Sequence, residues 1–327
     1  MNNLLPKTHC VAMQLYQFVR VMEYISTTPL KHRWYVCLYA GILVFGWRPY
    51  AVGLDRVDFY FASLENTYTG MNAKESRMVI QSIIQKIFVH KYPEIRLNLD
   101  FLAKDAGLID TLVNKPYDVI ATTGLDYLAL KERIHLQPLV ILSRTYKPTD
   151  TFLLVTRKNN TLKTLTGLPE RTLIVEAGGE DLAKLWLDII FEAHGLPPHH
   201  VFFNILHIGA KPIRTVLPVF FGQVDACVVS ESALMMINEL NPQIKEQLVI
   251  RERSAGYINM LLCATDRLED WARDIVIEET ERMHTSPEGQ QILTMMKMKR
   301  FFPFKPEHLQ ATEWIYQRSH RRARGGN

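Results

Sequence analysis

Short apolar runs alternate with amphipathic stretches from residue 57 onward, and the alternation predicts strands and helices in turn. Residues 57–63 (VDFYFAS) read as a first strand, and 95–101 (IRLNLDF), with its period of two, as a second. Between them Asn72 or Ser76 caps a helix running to about His90, whose apolar face is Met78, Ile80, Ile83, Ile84 and Ile87. A short helix over 107–114 leads to a third strand at 117–123, and 136–142 and 151–157 are strands flanking Lys147-Pro-Thr-Asp150. A second series follows. Residues 171–176 form a strand, Gly178-Gly179 a turn, and 181–195 a helix stopped by Gly195-Leu-Pro-Pro198. Strand 201–208, helix 213–220, strand 224–230 and helix 231–240 come next, the last ended by Asn241-Pro242. Residues 256–264 are apolar and strand-like, and the remainder turns helical over 268–284, 287–298 and 306–318.

This rhythm is that of an α/β protein with largely parallel sheets. Two βα series joined through extended segments near 145–157 and 251–264 predict two lobes linked by two crossovers. Lobe one is then 54–145 plus 260–327, and lobe two is 146–259. In open α/β sheets a ligand sits beyond the carboxyl ends of the strands, so a pocket between the lobes follows if the sheets face each other.

Composition sharpens the picture at the ends of the chain. The net charge of +4 over 327 residues is unevenly placed. Residues 1–53 hold Lys7, Arg20, Lys31, Arg33 and Arg48 against Glu23, and the last eleven residues hold Arg318, Arg321, Arg322 and Arg324 with no acid. The body, 54–316, has 29 basic and 33 acidic residues, so the basic pI does not report a nucleic-acid surface. Lys31-His-Arg33 precedes an uncharged apolar run of 12 residues, 34–45, too short to span a bilayer comfortably but fitting the core of a signal peptide. Ala51-Val-Gly53 supplies small residues for cleavage after Gly53, and Met22 is a candidate start; a buried core helix and an uncleaved anchor are the alternatives. Export removes Cys10 and Cys37, leaving Cys227 and Cys263 in apolar runs where two buried free thiols are expected.

Few motifs carry chemistry. His194, His199, His200 and His207 match no zinc spacing, and no nucleophile elbow, phosphate-binding loop or HExxH sequence occurs. No cofactor or metal is expected. The methionines between 283 and 298 read as helix core, and Asp225 as a residue serving strand entry.

Three segments in order carry a family resemblance. Residues 117–130 (YDVIATTGLDYLAL), 164–173 (TLTGLPERTL) and 221–229 (FGQVDACVV) resemble segments of the solute-binding proteins of phosphate, phosphite and phosphonate ABC transporters. The resemblance implies a type 2 periplasmic-binding-protein fold, two α/β lobes joined by two crossover segments, which captures a small polar or anionic ligand by hinge closure. It implies a periplasmic monomer that serves an ABC transporter permease or a membrane sensor and performs no chemistry. Ligand contacts implied on lobe one are Ser63, Glu65, Thr67, Tyr68, Thr122, Thr123 and Tyr127. On lobe two they are Glu176, Ala177, Gly178, Gly179, Glu180, Ser230 and Glu231. Glycines before a helix also expose backbone N–H groups at its positive end. The turn departs from the Ser/Thr-rich turn of phosphonate binders, because it offers no hydroxyl and brings Glu176, Glu180 and Asp181 together; Lys211 or Arg214 is then needed to compensate a dianion, and a partly cationic ligand fits as well. The alternatives for these residues are structural: Tyr127 in the core, Thr122 and Thr123 as helix caps, Glu180 and Asp181 as first-turn acids. Two other functions share the fold. One is an enzyme like the relatives that make thiamine precursors or menaquinone intermediates, with Glu176, Glu180, His207 or Glu231 as acid or base. The other is a membrane-tethered sensory domain.

Overall fold

The structure, a computed structural model, describes residues 57–65, 67, 77–78, 80–81, 95–159, 172–177, 179–203, 205–209 and 211–325. The expected leader, most of the helix expected between Ser76 and His90, Tyr68, Gly178 and nearly all of segment 164–173 lie outside the described residues, as do the side chains of Glu180 and His207. No described helix is long and apolar enough to cross a membrane.

Two mixed sheets organise the chain. The first contains β1 (Val57–Leu64), β2 (Ile95–Leu102), β3 (Val119–Thr123), β4 (Gln137–Ser143), β10 (Met260–Ala264) and β11 (Arg300–Pro303), in the order β11-β4-β10-β3-β1-β2. The second contains β5 (Asp150–Arg157), β6 (Thr172–Glu176), β7 (Ile205–Gly209), β8 (Ala226–Ser230) and β9 (Leu248–Tyr257), in the order β7-β6-β8-β5-β9. The helices are α1 (Leu108–Asn114), α2 (Gly124–Leu130), α3 (Glu180–Ala193), α4 (His199–Phe202), α5 (Pro212–Phe220), α6 (Glu231–Leu240), α7 (Pro242–Gln247), α8 (Asp270–Arg282), α9 (Pro287–Met295) and α10 (Pro306–Gly325). Both faces of each sheet are covered. Phe61, Val119 and Ala121 face one apolar cluster and Ala62, Ile120 and Leu64 the other, while in the second sheet Leu154 and Val228 oppose Val155 and Val229. Burial on both faces is why β8 is apolar throughout instead of alternating.

The expectation of largely parallel sheets is corrected. β1 is parallel to β2 and β3, and β6 to β7 and β8, but β10 runs against β3 and β4, β11 against β4, and β5 against β8 and β9. The crossovers explain it. The chain leaves the first sheet at Ser143, enters the second at Asp150, leaves that at Tyr257 and re-enters the first at Met260. A strand that starts at the edge where the βα strands finish must run against them. Hence Met260 pairs with Thr123, and Phe152 with Ser230.

Local departures have local causes. The strand expected over 201–208 begins only at Ile205, because Pro198 opens the helical turn α4, whose His199 N–H donates to Asp188 Oδ1 at 2.8 Å. The extended stretch 251–264 divides into β9 and β10 at Ile258 and Asn259. Met283, Met296 and Met298 are core residues of the first lobe. Cys227 and Cys263 are free and buried.

Candidate functional site

The βα strands of both lobes end at the edges joined by the crossovers. On the first lobe, Ser63 ends up beside Ala121, and Thr123 beside Met260. Ser63 and Thr122 have no exposed surface, and among the described residues each hydroxyl makes only a long bond to a neighbouring carbonyl, Leu64 at 3.4 Å and Thr123 at 3.3 Å. Such lengths leave most of the donor strength of these groups unused. Thr67 and Thr123 are committed locally. Thr67 Oγ1 donates to the Leu64 carbonyl at 2.6 Å, and Thr123 caps α2, accepting the Asp126 N–H at 3.1 Å and donating to Asp126 Oδ2 at 2.6 Å. Tyr127 is packed in the core with Lys131 over its ring, and burial raises its phenol pKa. Glu65 is exposed.

The second lobe's edge is a buried polar cluster. Glu176, the last residue of β6, is only 6% exposed, and its Oε2 accepts both the Ser230 N–H at 2.7 Å and the Ser230 hydroxyl at 2.9 Å. Asp150, at the start of β5, accepts the Ser232 hydroxyl at 2.5 Å and the Thr151 N–H at 2.9 Å. Among the described residues one guanidinium faces them. Arg144, the first residue of the first crossover, places Nη1 4.0 Å from Glu176 Oε1 and lowers the pKa of both acids by its field. Burial outweighs that help, so both carboxyl groups sit above their ordinary range. Among the described residues, two buried acids here stand against one guanidinium, short of positive charge. Lys211 and Arg214, the cations the sequence offers, are exposed at the start of α5, and the cation facing Glu176 is Arg144.

Sequence reasoning missed Arg144, Asp150 and Ser232. The available signal was an arginine directly after an apolar strand and an aspartate at the start of the next, both beside a crossover. The Glu231 carboxylate is bonded to Arg253. Gly179 has a packing reason to be glycine: a Cβ there would lie 2.9 Å from the Phe152 ring. Asp225 accepts the Thr172 N–H and hydroxyl where β6 begins. Among the described residues no group of three or more His, Cys, Asp or Glu side chains could hold a metal.

Comparison with known proteins agrees with this architecture. The family model for the periplasmic substrate-binding protein of phosphonate ABC transporters matches residues 89–309. No curated protein sequence matches the chain. Among solved structures, a binding protein component of an ABC phosphonate transporter from Pseudomonas aeruginosa is similar at a TM-score of 0.57 and 13% identity, over 81% of this chain and 88% of that one. A methylphosphonate complex of a protein from Prochlorococcus marinus has a TM-score of 0.57 and 14% identity, over 80% and 98%. The periplasmic aliphatic sulphonate binding protein of Escherichia coli has 0.51 and 11%, over 83% and 89%. At these identities the structures establish the fold, that of type 2 periplasmic binding proteins. The family match spans most of the chain and establishes solute binding for an ABC importer. The chain belongs to the family of periplasmic substrate-binding proteins of phosphonate ABC transporters.

Proposed function

We propose that the captured solute is a small zwitterion, an oxyanion of the phosphonate class that also carries an amine. The observation that carries this reading is the pair of buried carboxylates, Glu176 and Asp150, with the guanidinium of Arg144 as the one cation facing them among the described residues. A bare dianion placed there meets repulsion in a low-dielectric setting, while an ammonium group supplies the missing positive charge and donors. The anionic head then faces the first lobe, where Ser63 and Thr122 hold weakly used hydroxyls. Within the wider contact set, Tyr68, Gly178 and Glu180 border the same strand ends in sequence, and Ala177 and Gly179 line the start of α3. Binding proceeds by lobe closure with no bond made or broken.

Thermal-shift titration with three probes tests this: 2-aminoethylphosphonate, methylphosphonate and ethanolamine. The zwitterion raises the melting temperature most, because a ligand stabilises the folded state in proportion to the logarithm of its concentration over Kd. A larger shift with methylphosphonate contradicts the reading. We also propose that residues 1–53, or 22–53 if Met22 is the start, are an export leader cleaved after Gly53, releasing a monomer. N-terminal sequencing of the exported protein then begins at Leu54, and a product that retains residues 34–45 contradicts it.

A further inference from the structure

The two crossovers are built differently. Residues 144–149 of the first are exposed or half-buried, Tyr146 is 76% exposed, and the segment is held by hydroxyls of its own turn: Ser143 and Thr145 each donate to the Lys147 carbonyl. The second crossover is Ile258 and Asn259, and Ile258 is wholly buried. Its N–H donates to Thr312 Oγ1 of α10 at 3.0 Å, and the Asn259 carbonyl accepts the Gly124 N–H at 3.3 Å. The packing there leaves no slack: a Cβ on Gly124 would lie 2.6 Å from the Ile258 oxygen and 3.2 Å from Thr312 Cγ2.

The helix that supplies Thr312 is fastened to both lobes. Leu309 and Tyr316 belong to the apolar core of the first lobe, and Glu313 pairs with Lys131, which caps the end of α2, at 2.7 Å. Ile315 is a core residue of the second lobe, and Arg318 pairs with Glu192 of α3 at 3.2 Å. In hinge closure a few linker residues absorb the backbone rotation, and the exposed turn 144–149 is freer to do so than the buried Ile258. We propose that Thr312 is the positioning residue of lobe closure: by holding the Ile258 N–H it fixes the second crossover as the pivot, so that ligand capture swings the first crossover instead.

The test is the distribution of lobe-to-lobe distances, measured by pulsed electron resonance on the full chain. Spin labels go on Asp105→Cys and Glu239→Cys, both exposed sites, with Cys10 and Cys37 replaced by serine; Cys227 and Cys263 are buried. Thr312→Val keeps the shape and removes the acceptor. Thr280→Val is the matched control, because it deletes another buried threonine hydroxyl, bonded to the Val276 carbonyl within α8. Thr312→Val at least doubles the width of the distribution, Thr312→Ser restores it, and Thr280→Val leaves it unchanged. A Thr312→Val distribution no wider than wild type or Thr280→Val overturns the proposal. Should Thr312→Val not fold, hydrogen exchange of the wild type decides. The Ile258 amide exchanges at least a hundredfold more slowly than those of 145–147, and comparable rates overturn it.

Discussion

The inter-lobe edges of the two lobes are made from the same kind of element, the carboxyl ends of βα strands, yet they present opposite chemistry. The first lobe ends its strands in neutral hydroxyls, Ser63, Thr122 and Thr123, and the Asp126 carboxylate beside them is already bound to Thr123 and Lys104. The second ends its strands in Glu176 and Ser230, beside Asp150, and buries both acids. Burial of charge is costly unless the charge is paired and hydrogen-bonded. Here both acids accept hydrogen bonds and the pairing is partial. On the proposed reading, the difference lets a single fold separate the two halves of a zwitterion, one at each sheet edge.

The largest expected effect comes from erasing the acidic side. Glu176→Gln combined with Asp150→Asn weakens 2-aminoethylphosphonate binding by about 2 kcal/mol or more, roughly thirtyfold, as measured by calorimetric titration, while methylphosphonate binding strengthens. Equal losses for both ligands would break the comparison. Next, Gly179→Ala pushes a methyl into the Phe152 ring and costs about 1–3 kcal/mol of folding stability, read as a lowered denaturant midpoint. An unchanged midpoint would mean that the start of α3 yields freely.

A pH series sharpens the comparison further. The folded protein holds the Glu176 and Asp150 protons to higher pH than the unfolded chain does. Their contribution to stability is therefore complete below the ordinary carboxylate range and is lost as pH rises through the raised values. Amine binding goes the other way, since it needs the carboxylates ionised: affinity for 2-aminoethylphosphonate climbs over the same window. Glu176→Gln flattens both profiles, and a variant that keeps the wild-type slopes would remove Glu176 from the account. The smallest effect is on the neutral side. Thr122→Val forfeits a 3.3 Å bond and changes stability by less than about 1 kcal/mol, yet lowers affinity for both phosphonates alike.

Much of the fold could be read from the sequence because strand and helix signals act locally. The apolar runs of β3 and β8, the cap at Thr123 and the stop at Gly195 with its φ of 68° each act within a few residues. Strand direction was not readable, because it depends on which edge a strand starts from, and that is decided by crossovers joining positions far apart in the chain. The same holds for the site. Glu176 and Ser230 stand out as residues that close βα strands, but the Arg144–Glu176 approach and the Ser232–Asp150 bond join four separate segments. Burial decides the chemistry there, and burial is a property of the assembled lobe.

The most direct measurement is isothermal titration of the wild-type protein at neutral pH with 2-aminoethylphosphonate and with methylphosphonate. The account predicts one site per chain with the zwitterion bound at least tenfold more tightly. Equal or tighter binding of methylphosphonate would contradict it.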